Sequence, residues 1–165
     1  MTNMQQLINL QWASDCSKTR LPAEYVPKTK FEDKTANGLT KCVIALLKLN
    51  GHQAERISNT GRWIDNSKIV TDYLGRKRKL GTGKYIKGSG TNGTADVSST
   101  ISVSMPGIPT KLGLSVKFEI KVGKDRQSQA QKDYQRDIEM ASGQYYIVRS
   151  FDEFIYIYDK IINNG

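Results

Sequence analysis

Hydrophobic and polar positions alternate along this chain with periods that predict both helices and strands. Between residues 31 and 50 apolar side chains recur at helical spacing, and Asn50-Gly51 is a favourable helix end. The apolar positions of this helix are Leu39, Val43, Leu46 and Leu47. Residues 94–104 and 114–122 instead alternate strictly, and a Pro/Gly-containing connection separates them. This pattern predicts an antiparallel β-hairpin.

The rest of the chain adds shorter elements on both sides of the hairpin. Strand patterns cover residues 52–58, 62–64 and 144–149, helical patterns cover 129–142 and 151–162, and residues 75–93 read as loop around short strands. Residues 1–29 show little periodicity and predict an arm with one short helix. The order of elements predicts an α/β (α+β) fold, in which helices flank a mixed central β-sheet within one domain over residues 30–165.

Charge is concentrated in the middle of the chain. The 165 residues include 25 Lys/Arg and 16 Asp/Glu, and residues 41–94 hold 11 of the former and three of the latter, a net +8. Such a segment favours a polyanionic partner, with nucleic acid ahead of a membrane surface; a solvated loop is the alternative.

Two cysteines and one histidine exclude a disulfide scaffold and a zinc finger. The chain lacks a membrane-spanning run and a signal-peptide pattern, so we expect a cytoplasmic protein, a bacterial or phage-infected cell being plausible.

The predicted hairpin brings together residues that can do chemistry. Its connection is centred near residue 108 or 109, so Asp96 should lie across from about residue 121, and side-chain parity restricts its neighbours on that face to Glu119 and Lys121. Two neighbouring carboxylates repel each other unless a positive charge lies between them, and a divalent cation with oxygen ligands suits that position. The alternative is a surface ion pair on an amphipathic strand.

The predicted helices add two polar candidates. Gln131 precedes Tyr134 by three residues and shares its helix face, although Ser128 and Gln131 also form a capping-box pattern. Glu32 precedes Leu39 by seven residues and so falls on the apolar side of its helix, with Asp33 as a less convincing choice. Stabilisation of the helix dipole would explain either acid equally well.

Four segments together resemble the virus-type replication–repair nuclease (VRR-NUC) group of the PD-(D/E)XK nuclease superfamily. They are Gly93-Thr94-Ala95-Asp96, Phe118-Glu119-Ile120-Lys121, Ser128-Gln129-Ala130-Gln131 and residues 143–149. Arg56 followed by Asn59-Thr60-Gly61 resembles the early segment of the same group, and the likeness spans about residues 31–152. Ala95 departs from the proline in the superfamily's name. The resemblance implies a restriction-endonuclease-like fold.

The resemblance also implies a role for each matching residue. Asp96, Glu119 and the backbone carbonyl of Ile120 would hold Mg²⁺ or Mn²⁺, Lys121 would position or activate the attacking water, and Gln131 would be the later polar residue of the motif. Glu32 would be the first-helix acid, acting on the metal or through water. The expected nucleic-acid-binding residues are Arg56, Arg62, Arg76, Lys77, Arg78, Lys79, Lys84 and Lys87.

The expected activity is metal-dependent hydrolysis of DNA phosphodiesters by an endonuclease. Since no base-reading module is evident, we expect structure-selective rather than site-specific cutting. Small standalone domains of the group that this chain resembles are similar to Holliday-junction resolvases, so the resemblance implies branched DNA as the substrate and a homodimer as the working form. The alternatives are a nucleic-acid-binding protein without catalysis and a linear-DNA exonuclease that uses the same site. The preference for DNA over RNA stays open, as does whether Trp63, Tyr73 and Tyr85 stack on bases or fill the core.

Overall fold

The computed structural model describes residues 1–58, 61–86, 88 and 90–163. They form two compact units: one comprises Met1–Ile57 and the described residues from Gly93 onward, and the other comprises the described residues between Ser58 and Asn92. The helices are α1 (Asn3–Lys18), α2 (Ala36–Leu49), α3 (Gln129–Met140) and α4 (Phe151–Asn163), with a 3-10 turn at Ala23–Tyr25. The strands are β1 (Gln53–Arg56), β2 (Arg62–Asp65), β3 (Lys68–Thr71), β4 (Lys77–Leu80), β5 (Gly83–Ile86), β6 (Val97–Val103), β7 (Leu112–Ile120) and β8 (Gln144–Val148).

The larger unit is built on a mixed four-stranded sheet in the order β1-β6-β7-β8. Strand β6 runs antiparallel to β1 and to β7, whereas β8 runs parallel to β7. A parallel neighbour requires a crossover connection, and α3 supplies it between β7 and β8. The predicted hairpin and the predicted mixed α/β class are therefore confirmed.

One face of this sheet carries the hydrophobic core. Alternate residues of β7 (Val116, Phe118 and Ile120) are buried in one cluster with apolar residues of α2 and α4. The ring of Phe118 meets that of Phe154 edge to face at 5.2 Å between centroids, a favourable arrangement for two buried aromatics. Because side chains alternate along a strand, Lys117 and Glu119 point to the opposite face of the sheet.

Helix α2 begins later than its hydrophobic spacing predicts. The side chain of Thr35 accepts a hydrogen bond from the Gly38 amide at 3.0 Å and caps the helix at Ala36. The predicted start at Phe31 is therefore wrong, and Glu32 lies in the non-helical segment before the helix.

Helix α1 is longer than the short helix predicted for the N-terminal arm. Its 16 residues include a single buried one, Leu7, which joins the core with residues of α2 and α4. A helix with one buried position has no apolar stripe, so hydrophobic periodicity could not predict its full length. The segment after α1 is held by the Trp12 indole N–H, which donates to the carbonyl of Val26 at 3.0 Å.

The smaller unit contains a two-stranded ribbon, which we call the basic ribbon (residues 61–86). Strands β2 and β5 pair from Arg62↔Ile86 onward. Strands β3 and β4 continue the ribbon in the same register as far as Thr71↔Lys77. At its tip, Asp72 Oδ1 accepts hydrogen bonds from the amides of Leu74 at 2.9 Å and Arg76 at 2.8 Å. The sequence predicted a strand at 62–64 and short strands within a loop over residues 75–93, but neither β3 nor the pairing of these strands, since exposed strands lack the one-sided burial that produces alternation.

The described part of the chain contains no helix with both the length and the apolar character needed to cross a bilayer.

Candidate active site

Asp96 and Glu119 meet at the end of the β6–β7 hairpin. The ladder closes with Val97 opposite Phe118, and Asp96 is the next residue outward. Its carboxylate Oδ2 accepts the Ile120 amide at 2.9 Å, while its carbonyl accepts the Ile57 amide at 2.9 Å. The observed pairing register differs by two residues from the predicted one, in which residue 121 lies opposite Asp96. A shift of two residues leaves each side chain on the predicted face of the sheet. The expected neighbourhood of Asp96, Glu119 and Lys121 therefore forms.

Glu119 is an almost fully buried carboxylate, with 1% of the residue exposed. Its Oε1 accepts a hydrogen bond from Gln131 Nε2 at 2.5 Å and pairs with Lys121 Nζ at 3.0 Å. Its Oε2 accepts the Tyr145 hydroxyl at 3.2 Å. Burial raises the pKa of Glu119, the hydrogen bond from Lys121 opposes that rise, and the neighbouring Asp96 charge adds to it. The site thus favours a positive group beside this carboxylate.

Lys121 supplies that positive group and is itself only 6% exposed. Its ammonium contacts Glu119 and also Asp125 Oδ2 at 3.2 Å, and its backbone amide donates to the Val148 carbonyl at 2.9 Å. Burial by itself lowers the pKa of Lys121, but the hydrogen bonds to Glu119 and Asp125 outweigh it, so that the pKa is raised. The side chain is consequently an ammonium donor held between two carboxylates.

Gln131 both caps its helix and contacts the carboxylate cluster. Its Oε1 accepts the Ser128 amide at 2.9 Å, while the Ser128 hydroxyl accepts the Gln131 amide at 3.3 Å, which completes the capping box. Because the cap uses the amide oxygen, the Nε2 group is left to donate to Glu119. One side chain therefore closes the start of α3 and links it to β7.

A glycine allows the first turn of α3 to approach the loop that carries Asp96. Gly93 has a φ of +80°, and a Cβ at this position would overlap the carbonyl of Ala130. Only glycine meets both demands without strain.

Tyr145 is a member of the cluster that the sequence did not single out, since its strand reads as buried core. It lies on β8 opposite Lys117, and its ring meets Tyr134 of α3 at 6.3 Å. Burial and the nearby Glu119 charge raise the pKa of Tyr145, so the phenol stays protonated and donates. Tyr145 and Glu119 lie on the same face of the sheet, on neighbouring strands. The contact follows from the parallel β7–β8 register, which the sequence did not determine.

Glu32 and Asp33, the two acids predicted for the start of the helix over residues 31–50, lie before α2 and have other partners among the described residues. Glu32 is exposed; its Oε1 accepts the Thr35 hydroxyl at 3.4 Å, and its backbone carbonyl accepts the Cys42 thiol at 3.4 Å. Asp33 Oδ2 accepts the Phe151 amide at 3.1 Å, at the start of α4. Within the described ranges neither acid forms a hydrogen bond or ion pair with Asp96, Glu119 or Lys121.

The oxygen donors fit a hard divalent cation in part. Asp96 and Glu119 are two carboxylates at one site, which is the number Mg²⁺ commonly takes from a protein. Searching the described residues finds no group of three or more His, Cys, Asp or Glu side chains arranged to hold a metal. A cation here would therefore depend on these two carboxylates, the Ile120 carbonyl, water and substrate oxygens, and would compete with Lys121 for Glu119.

The predicted nucleic-acid-binding residues divide between the two units. Arg56 is on β1 in the larger unit, where its guanidinium donates to Asn37 Oδ1. The others that the structure describes are exposed on the basic ribbon: Arg62, Arg76, Lys77, Arg78, Lys79 and Lys84. Lys87 lies outside the described residues.

Two acids partly offset the ribbon's charge. Lys79 pairs with Asp65 at 2.8 Å, and Arg78 pairs with Asp72 at 3.5 Å. Hydrogen bonds from Lys79 and Ser67 lower the pKa of Asp65 to about 2.

Comparison with models of protein families, with curated proteins and with solved structures finds no match to this chain.

Proposed function

We propose that this protein is a divalent-metal-dependent endonuclease that hydrolyses DNA phosphodiesters, built on a restriction-endonuclease-like fold of the PD-(D/E)XK type. The observation that carries the proposal is the buried Glu119 carboxylate, held by Lys121 and Gln131 beside Asp96 at the end of one hairpin. Burial of a charged acid is costly, and titratable groups whose pKa values are shifted by burial and by a charged neighbour cluster at functional sites.

Each residue of the cluster has a distinct part in this proposal. Asp96, Glu119 and the carbonyl of Ile120 would hold Mg²⁺ or Mn²⁺, which supplies charge neutralisation at the phosphate and activation of a bound water. Lys121 is positioned by Asp125 and the Val148 carbonyl, so its ammonium can orient a water or balance developing negative charge. Gln131 and Tyr145 hold the two oxygens of Glu119 in a fixed orientation. Glu32 would act on the metal or through water.

The substrate is proposed to be branched DNA, with a four-way junction as the leading candidate and a homodimer as the working form. Support comes from the charge of residues 41–94, because contacts of Lys and Arg with phosphates bind nucleic acid without reading its sequence.

A nucleic-acid-binding protein without catalysis is the second candidate. One observation favours it: both oxygens of Glu119 already have partners, and the described residues leave no buried side-chain nitrogen or oxygen without a hydrogen bond. A closed network of this kind also suits a purely structural role.

The test is cleavage of a labelled four-way DNA junction and of a linear duplex of matching sequence, each with Mg²⁺, with Mn²⁺ and with EDTA. Wild type is compared with Lys121→Ala and Asp96→Asn, and with Lys117→Ala as a matched control. Lys117 lies on β7 four residues before Lys121, which directly follows that strand on the same face, but the Lys117 ammonium donates to Ser98 Oγ at 2.5 Å. Circular dichroism checks that each variant is folded.

We expect metal-dependent paired nicks in the junction alone, reduced by about 100-fold or more in Lys121→Ala and Asp96→Asn and little changed in Lys117→Ala. Cutting of every substrate would support the nuclease activity but contradict the preference for junctions. Degradation of linear DNA with a covalently closed circle left intact would indicate the exonuclease. Tight binding without cleavage under any metal would overturn the enzyme and favour the binding protein.

A further inference from the structure

Two large aromatic side chains lie exposed on the basic ribbon and face each other across its strands. Trp63 on β2 pairs directly with Tyr85 on β5. The two residues are 65% and 58% exposed, respectively, so neither fills a core within the described structure. Isolated exposed apolar residues are common on protein surfaces, but these two are directly paired across the strands and therefore share one face of the ribbon.

Glycines hold both rings against the ribbon backbone. A Cβ at Gly83 would overlap the Trp63 indole, and a Cβ at Gly61 would overlap the Tyr85 ring. Each ring therefore covers a glycine of the opposite strand, and any larger residue at either glycine would displace it. One side of each ring is covered by backbone, which leaves the other side turned to solvent.

The charge around these rings is strongly positive. Residues 58–92 contain eight Lys/Arg and two Asp, a net +6. Arg62 precedes Trp63 and Lys84 precedes Tyr85, and both basic side chains are exposed. Because side chains alternate along a strand, these two lie on the other face of the ribbon from the rings. Because the ribbon has only two strands, each of its basic residues borders an open edge where a phosphate backbone can approach.

We propose that Trp63 and Tyr85 form a stacking platform for unpaired bases of a nucleic acid, while the surrounding Lys and Arg contact its phosphates. Rings fixed in place lose little conformational freedom on binding, and base–aromatic stacking in a basic groove is the general means of binding single strands without sequence preference. Branched DNA offers unpaired bases, so this inference makes the substrate class of the proposed function more specific. It rests on the proposed function only for its biological setting.

The experiment measures binding by fluorescence anisotropy with two labelled probes of equal length, a 20-nucleotide thymidine oligonucleotide and an abasic oligonucleotide. Both carry the same phosphates, so any difference between them reports on the bases. All measurements are made in EDTA, so that cleavage plays no part. The variants are Trp63→Leu and Tyr85→Leu, which keep an apolar side chain over the glycine, with Tyr25→Leu as the control at an exposed tyrosine of the larger unit (68% exposed).

We expect wild type to bind the thymidine probe about 10-fold more tightly than the abasic probe. Trp63→Leu and Tyr85→Leu should each remove about five-fold or more of this preference and leave affinity for the abasic probe unchanged, whereas Tyr25→Leu should behave as wild type. Lys84→Gln should weaken binding of both probes equally.

Equal binding of the two probes by wild type would overturn the platform, as would leucine variants that keep the preference or a complete lack of binding. The two proposals fail separately. Junction cleavage with Mg²⁺ can persist without a thymidine preference, and a thymidine preference in EDTA can persist in a protein that never cleaves.

Discussion

Gln131 Nε2 donates a hydrogen bond of 2.5 Å to Oε1 of Glu119, which joins the first turn of α3 to the buried end of β7. The same amide caps its own helix through Oε1. The start of α3 therefore cannot shift without disturbing the only nearly fully buried carboxylate among the described residues. Because of this coupling, a change in the cluster should alter the free energy of unfolding, which can be measured without any assay of activity.

Removing the ammonium beside Glu119 should destabilise the fold. We expect Lys121→Met to lower the free energy of unfolding by about 3 kcal/mol, because it leaves a buried carboxylate without its cation. Asp125→Asn, which removes the exposed partner of Lys121, should cost under about 1 kcal/mol. Urea unfolding in EDTA provides the comparison. A Glu119→Gln/Lys121→Met double variant should recover part of the loss, and similar costs for Lys121→Met and Asp125→Asn would contradict the argument.

The close approach at Gly93 can be separated from its backbone conformation. Gly93 and Gly107 both have a φ of +80°, but a Cβ at Gly107 would meet nothing within 4 Å. Gly107→Ala should cost about 1 kcal/mol from backbone strain alone, whereas Gly93→Ala should cost at least about 3 kcal/mol because Ala130 must also move. Thermal or urea unfolding measures both. Equal losses would mean that the contact with α3 contributes nothing.

Asp33 and Glu32 should differ in their effect on stability. Asp33→Ala removes the acceptor for the Phe151 amide at the start of α4 and should cost about 1 kcal/mol of unfolding free energy. Glu32→Ala should stay within about 0.5 kcal/mol of wild type, since the side chain is exposed. The same two variants belong in the cleavage assay: lost cleavage in Glu32→Ala with unchanged stability would support its role as the first-helix acid.

His52, the only histidine in the chain, should make stability depend on pH in mild acid. Its Nδ1 accepts the Ser102 amide at 3.2 Å and its Nε2 lies 2.9 Å from the Tyr158 hydroxyl, so the neutral ring fits this site. Burial lowers the pKa of His52, and Lys111 adds to the effect. The folded state thus binds its proton less readily than the unfolded chain does.

The stabilisation from His52 is full above the unfolded pKa of about 6.5 and is lost as pH falls from there through the lower folded value. Between pH 7 and pH 5, wild type should therefore lose more stability than His52→Asn, measured by urea unfolding at each pH. Parallel pH profiles for the two proteins would show that the histidine is not responsible.

Cys42 should resist alkylation in the native protein. It is fully buried, and burial, with the nearby Asp33 charge, raises its pKa to about 11 from 9.0. This shift lowers the thiolate fraction at pH 8 by roughly 100-fold, and only the thiolate reacts. Mass spectrometry after brief iodoacetamide treatment should find the label on the partly exposed Cys16 alone, with both cysteines labelled after denaturation. Rapid native labelling of Cys42 would contradict the packing of α2.

The sequence by itself determined the elements whose side chains are buried on one side. The spacing of Leu39, Val43 and Leu47 located the body of α2, and the alternation of Val116, Phe118 and Ile120 located β7 and fixed its parity. Parity was enough to place Asp96, Glu119 and Lys121 on one face, although the register lay two residues away. A shift by two residues keeps every side chain on its face, so the pattern cannot distinguish the two registers.

Only the tertiary structure decided the contacts that depend on packing between distant segments. The hydroxyl of Tyr145 reaches Glu119 because β8 lies parallel to β7, and Leu7 is the one residue of α1 that is buried in the core. The Thr35 cap leaves Glu32 ahead of α2. The sequence indicated short strands around Trp63 and Tyr85, but their pairing into a ribbon came only from the structure, since strands exposed on both faces have no hydrophobic period. Periodicity records which side of an element is buried, whereas the partner that buries it is set by three-dimensional packing.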